Sequence, residues 1–137
     1  MVEDKETQVY LAGSIRRNKH AKEDFGYYQQ VLEEHHYKVV NPYKFFPESI
    51  PDHMQMLLCL PLVKSCSIIY LQPGWEHSNG SLIEALYAAR CGLRIVTDIK
   101  VLTQGGSDDN GQQGQGDILD RIAEKVVENL EGYINGK

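Results

Sequence analysis

Along the chain, short apolar runs alternate with longer segments whose apolar residues recur every three or four positions, the respective marks of strands and amphipathic helices. Gln8 to Ala12 predicts a strand that ends in a turn at Gly13-Ser14. From Lys19 to His36 the residues Ala21, Phe25, Tyr28 and Leu32 fall on one helical face, and Asn18 is the expected N-cap. Tyr37 to Val40 predicts a second strand, stopped by Asn41-Pro42 because proline has no N–H for a ladder bond. Tyr43 to Pro51 is rich in proline and aromatic residues and is expected to be a loop. Asp52 to Lys64 predicts an apolar helix that Pro61 should kink or restart. Cys66 to Leu71 is almost continuously apolar, as in a central strand covered on both faces. Ser81 to Cys91 predicts a third helix closed by Gly92, and Leu93 to Thr97 a fourth strand.

Strands alternating with helices predict an α/β fold with a parallel sheet. The pattern breaks at Gln104 to Gly116, which has no aliphatic or aromatic side chain and is expected to be a flexible linker. Its glycines do not make a phosphate loop, since no lysine or hydroxyl follows them and no strand leads in. Beyond it, Ile118, Leu119, Ile122, Ala123, Val126, Val127 and Leu130 trace one face of a helix expected over 117–133.

Composition narrows the class. The 137 residues are 42% hydrophobic and 24% charged, which suits one domain over 1–137 with its own core, centred on 8–97. The net charge of −5 argues against duplex nucleic acid as a partner, because that affinity comes from neutralising phosphates. Most of the excess acid falls after residue 97, so a small anion remains an acceptable ligand for the rest. The polar, acidic start is no signal peptide, and Met56 to Val63, the longest apolar stretch, is too short to span a membrane. Cys59, Cys66 and Cys91 are odd in number, without metal-ligand spacing, and read as free buried thiols of a cytoplasmic protein.

Ligands of open parallel sheets bind at the carboxyl ends of the strands. Here those ends carry Gly13-Ser14-Ile15-Arg16, Asn41-Pro42-Tyr43 and the stretch Pro73 to Ser81. The last holds the sole tryptophan, Trp75, and leads into a helix whose first turn is expected to contain Glu84. Ser81-Leu82-Ile83-Glu84 fits a capping box, which would tie the glutamate to the cap residue; the other reading is a catalytic carboxylate. Trp75 is either a pocket wall for a planar base or a lid over the core. His20, His35 and His36 read as solvated helix surface, whereas His53 and His77 lie nearer the cleft.

Three segments, Tyr10-Leu11-Ala12-Gly13-Ser14-Ile15, Asn41-Pro42 and Leu71 to Glu84, together resemble the nucleoside 2-deoxyribosyltransferase superfamily. Within it, the likeness is to uncharacterised small domains common in phage and bacterial mobile-element genomes. The resemblance covers about residues 8 to 97. It implies a flavodoxin-like or Rossmann-like three-layer sandwich with a mostly parallel sheet of four to five strands. It implies cleavage or transfer of the N-glycosidic bond of a nucleoside or nucleoside 5′-monophosphate, with Glu84 as the nucleophile kept ionised by its helix N-terminus. Ser78, Gly80 and Ser81 would contact the sugar or phosphate, Gly13 and Ser14 would bring backbone to the same ligand, and Arg16 would pair with a phosphate. Tyr10, Asn41 and Trp75 complete the expected binding set. No metal or cofactor is expected, and relatives are usually homo-oligomers.

Two departures stand out. Positions where active relatives carry acids hold Cys59 and Ser67 here, and general-acid help is worth roughly 10²–10⁴ in rate. Asp52 is about 10 Å from Cys59 along a regular helix, too far for simple replacement. Asp108 or Asp109 would have to swing in from the expected linker, and Ser14 replaces the usual proline.

Overall fold

A computed structural model describes residues 7–15, 19–45, 50–104 and 108–135. Its strands are β1 (Gln8–Ala12), β2 (Lys38–Val40), β3 (Ile68–Leu71) and β4 (Arg94–Val96). Its helices are α1 (Ala21–Glu34), α2 (Asp52–Lys64), α3 (Asn79–Cys91), α4 (Lys100–Thr103) and α5 (Asp108–Asn135). The strands form one sheet in the order β2-β1-β3-β4, with every pairing parallel. Helices cover both sheet faces, so the flavodoxin-like three-layer expectation holds, with four strands.

Period-two alternation divides the core. Tyr10, Ala12, Ile69, Leu71 and Ile95 face α2, α3 and α5, where they meet Cys59, Val63, Leu82, Ala85 and Ile122. Val9, Leu11, Ile68, Tyr70 and Val96 face the other way, onto Ala21, Phe25 and Leu32 of α1 and Leu102 of α4. β1 and β3 are buried along nearly their whole length, which explains their unbroken apolar sequence. The strand order reverses between β1 and β3, so their carboxyl ends frame the crevice where such sheets take ligands.

Several boundaries differ from expectation. α1 begins at Ala21 with His20 in the cap position; the expected cap, Asn18, lies outside the described residues. Pro61 neither restarts nor ends α2, which runs through it to Lys64. A proline this close to the end of a helix disturbs only its last turns. The expected loop from Tyr43 overlaps a 3-10 turn, Pro42–Lys44, capped by Asn41. Most of the expected linker is helical: α5 starts at Asp108 rather than Asp117, and only 105–107 lie outside the described residues. Asp108 and Asp109 are the first two residues of this helix. Glutamines extend it, since their helix propensity is close to that of leucine. Cys91 is exposed, unlike Cys59 and Cys66. No helix among the described residues is long and apolar enough to cross a membrane.

Candidate active site

Glu84 is buried, only 7% exposed, on the face of α3 turned toward the sheet. The Tyr10 hydroxyl, rising from β1, donates a 2.8 Å hydrogen bond to Glu84 Oε2. Cys59 of α2 completes the cluster, close enough to both residues to influence their ionisation. Three elements therefore converge on one carboxyl beside the reversal point of the sheet. Burial pushes that carboxyl up from 4.5 to about 8, against the lowering effect of its neighbours Tyr10 and Cys59. Burial also raises the Cys59 thiol to about 11 and holds the Tyr10 hydroxyl well above its usual value.

The cap of α3 is Ser78, whose Oγ accepts from the Ser81 N–H at 3.2 Å. Ser81 is thus inside the helix and Glu84 is in the second turn, so the capping-box reading fails. The loop before α3 turns at Gly74, whose φ of 92° favours glycine. It leads into a 3-10 turn, Trp75–His77. Trp75 is buried among the core side chains, as the lid reading expects. Arg121 of α5 stacks over its ring at 5.4 Å and pairs with Glu76, fastening α5 to this loop.

A cavity of about 500 Å³ opens at the same sheet edge but toward α1, lined by Ser14, Asp24, Tyr28, Gln72, Gly74 and His77. Glu84 and Tyr10 are not in its wall.

The profile of a family described as Domain of unknown function (DUF4406) matches residues 7–97, two thirds of the chain. The chain belongs to the DUF4406 family. A search of proteins of curated function finds no match. The DUF4406 match takes in all four strands and the Tyr10–Cys59–Glu84 cluster, and it ends before α4 and α5.

Within the DUF4406 domain the expected site residues separate into groups. Tyr10 and Glu84 meet directly; Ser78 and Ser81 stand at the amino end of the helix that carries Glu84. Ser81 is 1% exposed and its Oγ has no hydrogen-bond partner. Gly80 lies under Met56 of α2. Gly13 lies under Gln72 instead, and Ser14 belongs to the cavity. Asn41 is occupied within the chain, donating to Gln29 Oε1 and accepting from the Tyr43 N–H, each at 3.0 Å. Arg16 lies outside the described residues. Of the substitute acids weighed for the site, the side chains of Asp52, Asp108 and Asp109 are likewise outside what is described.

Among the described residues, no second carboxylate contributes to the environment of Glu84. Cys59 stands in that place. Burial pushes the carboxyl toward its neutral form, against the ionisation expected from its helix N-terminus. The second-turn position explains this: the dipole acts over the first turn, whereas burial acts in full. Sequence reasoning missed Gln72, Asp24 and Tyr28 as pocket residues. The available signal was Gln72 itself, a polar side chain at the end of an apolar strand beside the reversal point.

Proposed function

We propose that this protein cleaves or transfers the N-glycosidic bond of a nucleoside, deoxynucleoside or nucleoside 5′-monophosphate, with Glu84 as nucleophile. The observation that carries the reading is the buried Tyr10–Glu84 pair beside the carboxyl ends of β1 and β3. Tyr10 holds Glu84 Oε2, which leaves the other carboxyl oxygen for the anomeric carbon. A bond forms between that oxygen and C1′, and the C1′–N bond breaks with its electron pair on the base. The proton that Glu84 releases on ionising equals the one the departing base takes up, so the step balances without a second acid. Water, or another base, then displaces the sugar from Glu84, and the proton that this nucleophile loses returns to the carboxyl.

The amino end of α3, with Ser78, Gly80 and Ser81, supports a phosphate on the ligand. The same reading makes the protein a cytoplasmic homo-oligomer. Exposed Met54, Leu57 and Leu58 of α2, with Ile83 and Leu86 of α3, give a second copy an apolar surface.

The test is incubation with a panel of nucleosides, deoxynucleotides and dinucleotides, following free base by chromatography. Base release that disappears in Glu84→Gln supports the proposal; no release from any member sinks it. A second reading, a nucleotide-binding sensor without catalysis, is favoured by Cys59 standing where a carboxyl would help the leaving base. Under it, nucleotides raise the melting temperature, no base appears, and Glu84→Ala changes binding at most.

A further inference from the structure

The cavity toward α1 has a feature that packing does not account for. Gln72 is 4% exposed, and its Nε2 is buried without any hydrogen-bond partner. Buried donors in that state are rare. The amide packs against Gly13: a Cβ there would come within 2.8 Å of Gln72 Nε2, so a larger residue would make the amide shift. The same wall carries the Asp24 carboxylate and the Tyr28 ring, which packs at 5.1 Å from Tyr70 and so has a fixed orientation. At about 500 Å³ the cavity is within the ordinary size of small-molecule sites.

We propose that this cavity binds a planar heterocycle through its lactam edge, a ring C=O beside a ring N–H. Gln72 Nε2 donates to the carbonyl oxygen, Asp24 accepts from the N–H, and Tyr28 lies along the ring face. A carboxylate has about four acceptor sites, so the bond to the ligand is compatible with others that Asp24 makes. Rings with an amino group beside a bare nitrogen present the reverse pattern. They set donor against donor and lone pair against lone pair, a mismatch that polar sites reject strongly. Lactam edges occur in oxo-pyrimidines and oxo-purines and also in pteridine and isoalloxazine rings. Because the site does not use Glu84, it is independent of the glycosidic reading, and either can fail alone.

The experiment is calorimetric titration of the full chain with 1-methyluracil, hypoxanthine, pterin and riboflavin, against 1-methylcytosine and adenine, which have no ring C=O beside a ring N–H. At least one lactam ring binds, and 1-methylcytosine and adenine bind at least about 100-fold more weakly. A preference for 1-methyluracil or hypoxanthine identifies the source as a base, and one for pterin or riboflavin a fused ring system. Gln72→Met weakens binding about tenfold. Gly13→Ala, which displaces the amide without removing it, gives a loss in the same direction. Glu84→Gln leaves binding unchanged, and melting curves of each variant establish that it is folded. Equal binding of 1-methyluracil and 1-methylcytosine, no binding of any lactam ring, or a loss confined to Glu84→Gln overturns the proposal.

Discussion

Tyr10 and Glu84, far apart in the chain, share a 2.8 Å hydrogen bond in the interior, with the tyrosine hydroxyl as donor. The bond favours the ionised carboxyl, while burial favours the protonated one, and burial prevails. Tyr10→Phe therefore raises the Glu84 pKa further above about 8. The variant's pH–rate profile for base release moves to higher pH, and stability falls by about 1 kcal/mol, the usual worth of one hydrogen bond. An unmoved profile would show that Tyr10 does not set the ionisation of Glu84.

The pH dependence of folding follows from the same carboxyl. Its folded pKa is above its unfolded value of 4.5, so the native state binds the proton more tightly. Its contribution is at its most favourable below about 4.5, is lost progressively as pH rises, and levels off above about 8. Glu84→Gln removes this dependence while keeping the shape of the side chain. The variant is more stable than the wild type at pH 7, by a margin on the order of 3 kcal/mol, and the margin closes toward pH 4. Urea titrations at several pH values measure it directly.

Ser78 and Ser81 are separated by the correct placement of the cap. Ser78→Ala removes the oxygen that accepts from the Ser81 N–H and costs about 1 kcal/mol. Ser81→Ala removes an oxygen without a partner and is neutral or slightly stabilising. Thermal melts of the two variants, side by side, give the order; the reverse order would restore Ser81 as the cap.

The three thiols differ in access. Cys91 is exposed, whereas Cys59 and Cys66 are buried and their pKa values are raised by that burial. An aromatic disulfide reagent at pH 8 reacts rapidly with one thiol per chain, and Cys91→Ser abolishes the fast phase. The other two react only in denaturant.

How much of this was legible in the sequence depended on the range of the interactions involved. β1 and β3 were readable because a strand covered on both faces is apolar throughout, and Gln8 to Ala12 and Ile68 to Leu71 are. Glu84 stood out through its setting after Trp75 and the serines. Its partner, Tyr10, was legible only by resemblance, because the parallel pairing and the packing of α3 bring them together. The cap was misplaced because Ser78 and Ser81 are nearly one turn apart and both precede helix-forming residues; local pattern does not separate them. The amino half of α5 was misread because its glycines weigh against a helix, each by about 1 kcal/mol, without excluding one. Gln72 carried no local sign of its role, since Gly13 meets it only once the sheet has formed.

Ile122 is 1% exposed among the side chains of the larger core, and Arg121 beside it grips Trp75 and Glu76. Both belong to α5, beyond the residues that the DUF4406 profile matches. The inherited unit and the folding unit of this chain are therefore different objects. A fragment ending at residue 97 would contain every strand and every member of the Glu84 cluster, yet it would leave the α3–β4 flank and the tryptophan uncovered. Grafting the family segment alone onto another protein would transplant the carboxyl but not the helix that packs against this side of the core.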